Sequence, residues 1–348
     1  SDKLKTAWWQ WFEITSLEMG CDELEGWLPT WAFGRRFEGG VSKERLPELS
    51  LSLILGLCTA APAGPLAAYL STIYRNLPSN AIGNKIKEWS NNWTKKHQKS
   101  AEKLQNHHPI HAQNEPNPFY KSQKDAGRGH GFENSPRIHL VDSGMSNNLP
   151  LAPAFRPGRA VDVLLLGDYS SDVQKGAAVQ RIDEGLRERG LKVMPRETLP
   201  ALEPLPMEGE GKEAKPKKLS AQEVEARFKG RYAQILDTQL LSKEEIGQVT
   251  IDADAETRDM MNERNVPQAK RPVTMVYLPL LPNKCQPDYD PSTAEFSSSY
   301  NLAWTDEQVE IIRRTSKANT VDALANIRTV VREAYERRKA ERLGKSAA

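Results

Sequence analysis

The sequence lacks the features that mark a disulfide scaffold, a zinc site or a nucleic-acid-binding protein. Its 348 residues include three cysteines, Cys21, Cys58 and Cys285, which lie far apart and without CxxC spacing. A reducing compartment is therefore favoured, and neither a disulfide framework nor a zinc site is predicted. The 48 Lys and Arg residues nearly balance the 46 Asp and Glu residues. Because nucleic-acid binders usually carry a basic excess, no nucleic-acid partner is predicted.

Common cofactor and metal motifs are also missing. The sequence contains no HExxH motif, no GxGxxG motif and no Walker loop. His107, His108 and His111 lie close together, but no carboxylate accompanies them at a regular spacing. A solvated loop is therefore favoured over a metal site. The sequence predicts neither a metal nor a cofactor in this chain.

One uncharged apolar stretch, residues 51–74, is long enough to be considered as a membrane span. It contains Gly56, Pro62, Gly64 and Pro65 near its centre. Because proline interrupts a helix, the stretch predicts a buried helix that is broken near Pro62, not a span.

Two regions differ in composition from an ordinary globular chain. Residues 1–75 are aromatic-rich, and their tryptophans predict either core or a lipid-contacting surface, with core favoured. Residues 76–136 are polar and basic, which predicts either a solvated insertion or a cap whose basic face meets anionic lipid headgroups. Residues 204–219 are of low complexity and predict a mobile surface loop.

The middle of the chain alternates strand and helix patterns. Residues 137–141 predict a short strand that stops at Asp142, and the apolar run 160–167 predicts a strand buried on both faces. Residues 175–189 have helical spacing and end at Gly190. Together they indicate the α/β class, with a mixed sheet flanked by helices.

The C-terminal half adds further helices and one strand. Capping boxes at Ser220 with Glu223 and at Thr305 with Gln308 each predict a helix start. Residues 272–280 predict a strand between these helices. A last helix is predicted to bury Leu324, Ile327, Val331 and Ala334.

Asp142 is the most informative candidate for chemistry. It follows a predicted strand and precedes Ser143 and Gly144, a position where α/β folds usually place their functional groups. Gly144 permits a tight turn that a side chain would obstruct. From the residues alone, a catalytic role and a turn-capping role are equally supported.

A long motif begins at Asp142 and resembles the aspartate motif of the cytosolic phospholipase A2 family. It runs Asp-Ser-Gly-Met-Ser-Asn-Asn-Leu-Pro, continues through Arg156-Pro-Gly-Arg159 and ends at Gly167-Asp-Tyr-Ser170. Four further segments are similar to the family in the same order: Trp-Phe-Glu-Ile-Thr-Ser-Leu-Glu-Met-Gly at 11–20, Pro-Thr-Trp-Ala-Phe-Gly-Arg at 29–35, Glu-Pro-Asn-Pro-Phe-Tyr at 115–120, where fungal members are particularly similar, and Tyr335-Glu-Arg-Arg338.

The resemblance implies a patatin-like α/β fold and a serine–aspartate dyad that cleaves acyl esters of a glycerophospholipid or lysophospholipid. Asp142 is the only catalytic residue that transfers, and Arg156 and Arg159 are candidates for substrate phosphate binding. The family context implies a cytoplasmic protein that acts peripherally at a phospholipid membrane surface. Calcium would be needed only if a separate upstream membrane-binding domain exists.

The sequence departs from the family in lacking a nucleophile motif. No Gly-x-Ser-x-Gly elbow occurs in the 348 positions, although the family's serine lies in such an elbow. We therefore expect residues 1–348 to be the C-terminal part of one longer catalytic domain, with residues 76–136 as its inserted cap. The alternative is a catalytically inactive relative that binds lipid or protein.

Overall fold

The chain divides into two compact units in a computed structural model. The first unit consists of Ser1–Pro153 and Thr250–Pro267, and the second consists of Ala154–Val249 and Gln268–Ala348. The structure describes residues 11–22, 26–60, 115–122, 132–145, 147–156, 158–170, 173–175, 178–187, 189–200, 202–203, 205, 207–208, 215–242, 244–245, 269, 271–297, 301 and 303–344.

Short antiparallel strands and one helix make up the described part of the first unit. The elements, in chain order, are β1 (Glu13–Ile14), β2 (Glu18–Cys21), β3 (Gly26–Pro29), β4 (Phe37–Glu38), β5 (Val41–Ser42), α1 (Leu51–Cys58), β6 (Glu115–Pro116) and β7 (Arg137–Ile138). The strands pair in the order β1–β2–β3, β4 with β5, and β6 with β7. The core cluster around them consists of Met19, Leu28, Ala32, Phe33, Leu57, Ala60, Phe119 and Ile138.

The aromatic N-terminal region contributes less to this core than its composition predicts. Trp11 and Trp27 are only half-buried and Trp31 is exposed, with the Arg35 guanidinium over its ring. Trp8 and Trp9 lie outside the described residues. The rings of Trp11, Trp27 and Trp31 therefore keep contact with water, and none of them belongs to the core cluster.

Helix α1 is not buried as the sequence predicts. Ser50 caps it by accepting a hydrogen bond from the Leu53 N–H. Leu57 packs into the core, whereas Leu51, Leu53 and Leu55 are exposed. Since an apolar helix of eight residues presents only one side to the core cluster, its other leucines stay at the surface. The predicted break at Pro62 lies outside the described residues.

A mixed four-stranded sheet organises the second unit. Its elements, in chain order, are α2 (Leu151–Ala154, which begins in the first unit), β8 (Val163–Asp168), α3 (Ala178–Arg187), β9 (Leu191–Pro195), β10 (Met207–Glu208), β11 (Lys215–Pro216), α4 (Ala221–Phe228), β12 (Gln234–Leu240), β13 (Thr274–Pro279), α5 (Asp306–Asp322) and α6 (Leu324–Arg342). The strand order is β8–β13–β12–β9. Only β8 and β13 are parallel to each other. This arrangement confirms the predicted mixed sheet with flanking helices.

Strand β8 differs from its prediction in one respect. It pairs with β13 alone in the sheet, and Leu165 and Gly167 on one face are exposed while Leu166 and Asp168 on the other are buried. The expectation of burial on both faces is therefore wrong. An apolar run does not distinguish a strand with two covered faces from one with a single covered face.

The segment predicted as a mobile loop contains the β10 and β11 pair. Met207 lies opposite Pro216, and Glu208 lies opposite Lys215 in an antiparallel register. The mobility of residues 204–219 stays a prediction, as does a cap over residues 76–136. Of that region, the structure describes only 115–122 and 132–136.

The last helix is held against the sheet by ion pairs. Asp162, next to the start of β8, lies 2.9 Å from Arg338, 3.4 Å from Arg271 and 3.7 Å from Arg337. Arg196, after β9, joins Asp237 on β12 to Glu333 on α6. These contacts fix which side of α6 faces the sheet.

Candidate active site around Asp142

The segment leading to Asp142 is anchored by the buried side chain of Asn117. Its Nδ2 donates to the Ser135 carbonyl at 2.7 Å, and its Oδ1 accepts from the Phe119 N–H at 2.9 Å. The Asn117 N–H donates to the Pro136 carbonyl at 3.0 Å. The Glu-Pro-Asn-Pro-Phe-Tyr segment at 115–120 thus fixes the start of β7.

The chain between β7 and Asp142 is held by packing more than by strand pairing. Ile138 is buried in the core, and Leu140 and Val141 pack against it. The described pairing of β7 ends at Ile138, which lies opposite Glu115, so the strand is shorter than the predicted 137–141. The position opposite His139 would be residue 114, which lies outside the described residues.

Asp142 itself closes a tight turn. Its Oδ1 accepts a hydrogen bond from the Gly144 N–H at 2.8 Å. The chain then forms a 3-10 turn over Ser143–Met145, and the Asn147 N–H donates to the Ser143 carbonyl at 2.9 Å. One carboxylate oxygen therefore holds the turn, which is the capping role that the sequence left open beside catalysis.

A side chain at Gly144 would crowd the turn. A Cβ at this position would lie 2.6 Å from Asn148 Oδ1 and 3.1 Å from Asp142 Oδ1. The first distance is shorter than a non-bonded contact allows, and the second is tight. A side chain at position 144 would therefore have to displace the end of the Asn148 side chain.

The C-terminal end of α1 lies within electrostatic reach of Asp142. Burial raises the pKa of the Cys58 thiol above its usual value, and the negative charge of Asp142 raises this pKa further. The sequence gives no sign of this proximity, because residues 61–114 separate α1 from the β6–β7 region. The apolar helix α1 therefore contributes a thiol to the surroundings of Asp142.

The described residues offer no second catalytic group at Asp142. Among them, no serine hydroxyl is hydrogen-bonded to its carboxylate, and no group of three or more His, Cys, Asp or Glu side chains could hold a metal ion. His139 is exposed. His107, His108 and His111 lie outside the described residues.

Arg156 and Arg159 lie together on the connection between α2 and β8. The Arg159 N–H donates to the Arg156 carbonyl at 3.2 Å, and the Arg159 side chain is exposed. Both belong to the second unit, whereas Asp142 belongs to the first. Their role in substrate binding stays a prediction.

Asp168 is a buried carboxylate to which the sequence assigned no role. It is 1% exposed at the end of β8. Its Oδ2 accepts from the Tyr277 hydroxyl at 2.9 Å and from Arg181 at 3.3 Å, and its Oδ1 accepts from the Ser170 N–H. The signal in the sequence was the Asp-Tyr-Ser that ends the apolar run. These contacts indicate a residue that fixes the end of β8.

The second unit also has an open pocket of about 320 Å³ at its surface. It is lined in part by Glu225, Tyr232, Lys284 and Asp322, and Glu225 pairs with Lys284 at 2.6 Å. Burial, aided by the charge of Asp322, raises the pKa of Tyr232 to about 12. None of the sequence-predicted site residues lines this pocket, and its mixed charges favour no single ligand class.

A solved structure shows the fold to which these elements belong. The chain is similar to human GIVD cytosolic phospholipase A2 with a TM-score of 0.51 and 18% identity over 97% of this chain. At this identity the likeness shows the fold alone, which is the predicted patatin-like arrangement. The chain spans 40% of the length of that structure. No curated protein matches the sequence.

The family itself is shown by the sequence match to a family model. The model described as "Lysophospholipase catalytic domain" matches residues 3–182, which include the core of the first unit, the Asp142 turn and β8. Since this match extends over more than half of the 348 positions, the chain belongs to the lysophospholipase catalytic domain family.

Proposed function

We propose that the full-length protein is a phospholipase A2 or lysophospholipase in which Asp142 is the base of a Ser–Asp dyad. The observation that carries the proposal is the Asp142 turn. Oδ1 is used by the Gly144 N–H, and Oδ2 has no hydrogen-bond partner among the described residues. This arrangement orients a carboxylate with one oxygen available for a proton. The family match over residues 3–182 supports an acyl ester as the substrate.

The chemistry follows from the weakness of a serine hydroxyl as a nucleophile. As serine Oγ attacks the ester carbonyl, its proton passes to Asp142, and the tetrahedral intermediate then releases the alcohol portion of the lipid with that proton. Water hydrolyses the acyl-enzyme in the reverse sense, with Asp142 again accepting a proton. Because no Gly-x-Ser-x-Gly motif occurs in these 348 residues, the nucleophile is assigned to a part of the domain outside them.

The proposed setting is the cytoplasmic surface of a phospholipid membrane, with a diacyl or lysophospholipid as substrate. Each helix in the described part of the chain is too short or too polar to cross a bilayer. Arg156 and Arg159 are proposed to meet the substrate phosphate, because guanidinium groups bind phosphate oxygens in pairs. No step of this mechanism uses a metal or another cofactor.

The second candidate function is a relative that binds lipid or protein without turnover. The missing nucleophile motif favours this alternative. In it, the Asp142 turn is purely structural, because the hydrogen bond to the Gly144 N–H is sufficient reason for an aspartate there.

Fatty-acid release from phospholipid vesicles by the full-length protein distinguishes these functions. Asp142→Ala should lower turnover by roughly a thousandfold or more, as loss of a triad member does. Asp288→Ala is the matched control, since Asp288 is exposed and only loosely paired with Lys218; it should keep wild-type turnover. Circular dichroism must show that both variants are folded. Unchanged turnover in Asp142→Ala would remove Asp142 from the mechanism, and inactivity of the wild type would favour the binding protein.

A further inference from the structure

The outer side of α6 carries a continuous stripe of basic and aromatic side chains. Arg328, Arg332, Tyr335, Lys339 and Arg342 follow one another at helical spacing, and all five are exposed. At about 100° per residue they fall within roughly 80° of the helix circumference, and at about 1.5 Å per residue they extend over roughly 21 Å. We call these five residues the α6 stripe.

The stripe has an excess of positive charge. It contains four cations and no acidic residue. Arg328, Arg332 and Arg342 form no ion pair with the described carboxylates, and Lys339 meets only Glu336, at 3.8 Å. The other acidic residues of α6 are engaged elsewhere: Glu333 pairs with Arg196 and Glu341 with Arg338. Three of the four cations in the stripe therefore have no described carboxylate as a partner, and the fourth, Lys339, is only loosely paired.

The opposite side of α6 already accounts for how the helix is attached. Val330 belongs to the buried apolar cluster of the second unit and Ile327 packs against it, and Arg337 and Arg338 meet Asp162. The contacts that attach α6 to the rest of the unit therefore do not involve the stripe. Like charges at this spacing repel one another, and the attachment of the helix does not explain their presence.

Apolar groups lie among these cations. Tyr335 within the stripe is 61% exposed, and Val331 at its edge is 49% exposed. Leu343 beyond the end of the helix is also exposed. The Lys339 ammonium lies 5.9 Å from the Tyr335 ring centre. A line of cations with an interleaved tyrosine and aliphatic groups matches the interface of a bilayer, where charges meet phosphates and apolar groups reach the acyl boundary.

We propose that the α6 stripe docks the protein on anionic phospholipid surfaces. The helix lies parallel to the membrane plane, its arginines and lysine meet headgroup phosphates, and Tyr335 with Val331 contacts the upper acyl region. The choice of a phospholipid surface as the occupant rests on the proposed function. A nucleic acid is disfavoured because the chain has a formal net charge of only +2 and the stripe includes exposed aliphatic groups.

The test is sedimentation of the full-length protein with vesicles of ether-linked phospholipids, which an esterase does not hydrolyse. Vesicles of phosphatidylcholine alone are compared with vesicles that also contain phosphatidylserine. The stripe variant combines Arg328→Gln, Arg332→Gln, Lys339→Gln and Arg342→Gln, since glutamine preserves helix propensity. The control variant combines Arg45→Gln, Lys229→Gln, Arg313→Gln and Lys317→Gln, which are exposed elsewhere and remove the same charge.

The wild type should prefer the anionic vesicles, and added salt should weaken its binding. Each cation near an anionic surface contributes roughly fivefold to binding, so the stripe variant should bind at least about twentyfold more weakly. The control variant should stay within about twofold of the wild type. Equal binding by the stripe and wild-type proteins, an equal loss in the control, or no preference for anionic vesicles would each overturn the proposal. Stripe-dependent binding to duplex DNA without vesicle binding would assign the stripe to nucleic acid instead.

Hydrolysis of a dispersed short-chain lysophospholipid separates this proposal from the proposed function. The stripe variant should keep wild-type turnover there, because its changes are not in the Asp142 turn. A loss of hydrolysis equal to the loss of vesicle binding would show that the changes damage the protein as a whole and would overturn the docking proposal. Absence of hydrolysis in both proteins, with normal wild-type vesicle binding, would contradict the proposed function and leave docking supported.

Discussion

The orientation of the Asp142 carboxylate depends on Gly144, two residues later in the chain. The Gly144 N–H is the donor that fixes Oδ1, and this donor is in place because Gly144 has no side chain to meet Asn148. Asp142 and Gly144 therefore act as one unit. A change at the glycine should alter the direction of the carboxylate before it alters the fold.

We expect Gly144→Ala to reduce fatty-acid release at least about tenfold while costing only about 1 kcal/mol of unfolding free energy. The new Cβ meets the end of the Asn148 side chain, which is able to move, but it also crowds Asp142 Oδ1. Urea denaturation and turnover of the full-length protein measure the two effects.

Gly56→Ala is the matched control, because a Cβ at Gly56 meets nothing within 4 Å and the residue lies inside α1. It should stabilise the protein by about 1 kcal/mol. A Gly144→Ala protein with normal turnover would contradict the coupling of these two residues.

The pKa of the Cys58 thiol, and therefore its rate of alkylation, depends on how close Asp142 lies. Burial and the Asp142 charge both raise the thiol pKa. Asp142→Asn removes the second cause, so the pKa should fall, more thiolate should be present at a given pH, and alkylation of Cys58 should accelerate. Mass spectrometry measures the alkylation rate at each cysteine.

Cys285 provides the internal reference in the same experiment. Burial and the charge of Asp322 raise the pKa of its thiol, so Asp142→Asn should leave its alkylation rate unchanged and Asp322→Asn should increase it. If Asp142→Asn left Cys58 as slow as before, the end of α1 would not lie near Asp142.

The sequence was sufficient to find Asp142 but not its surroundings. The Asp-Ser-Gly motif is local, and a glycine two residues after an aspartate already indicates a turn. The proximity of Cys58 and the burial of Asp168 depend on tertiary packing between segments that are distant in the chain. Cys58 has no local signal, and the Asp-Tyr-Ser at the end of the apolar run marks Asp168 without showing which side chains it contacts.

The stabilisation that the N-terminal capping box gives to α4 is expected to depend on pH. Glu223 accepts hydrogen bonds from Lys217 and from the N–H and hydroxyl of Ser220. These contacts, Lys217 first, lower the pKa of Glu223 from 4.5 to about 2. Since the folded-state pKa is depressed, the stabilisation is complete above the unfolded-state pKa and is lost as the carboxylate becomes protonated.

Glu223→Gln should therefore be less stable than the wild type near neutral pH, and the difference should shrink as the pH falls from about 4.5 to about 2. Urea denaturation over a pH series measures this difference in unfolding free energy. Ser220→Ala removes the other half of the capping box and should cost about 1 kcal/mol at neutral pH. A difference for Glu223→Gln that stays constant down to the lowest pH would contradict the assigned contacts.

Local signals predicted the helix starts well and the buried faces less well. Both capping boxes, at Ser220 and Thr305, are confirmed. For α6 the prediction that Val331 is buried is wrong, because Val330 and Val331 are adjacent and equally apolar and the sequence does not distinguish them. Packing against the sheet selects Val330, which is buried, and leaves Val331 exposed. Only tertiary contact decides which of two such neighbours is buried.

At the scale of the whole molecule, the proposed functional parts are distributed over both units. The Asp142 turn and α1 belong to the first unit, whereas Arg156, Arg159 and the α6 stripe belong to the second. Sequence motifs identified several of these parts separately. The dyad proposed for Asp142 also requires a serine nucleophile, for which these 348 residues have no Gly-x-Ser-x-Gly motif.

A fluorophosphonate reagent tests where the nucleophile lies. It should label one serine in the full-length protein and none in the isolated 348-residue chain, because an unactivated serine hydroxyl reacts slowly. Intact-mass measurement with peptide mapping locates the label. Labelling of a serine within the isolated chain would show that the nucleophile is part of it and that the missing elbow motif is misleading.

The parallel pairing of β8 with β13 has a consequence for biosynthesis. Tyr277 on β13 follows Asp168 on β8 by 109 positions, so a ribosome adding about 5–20 residues per second leaves β8 without its neighbour for roughly 5–20 s. During that time Leu164, Leu165 and Leu166 have no partner strand in the emerging chain. Strand β8 is therefore a segment that a chaperone is expected to cover during translation.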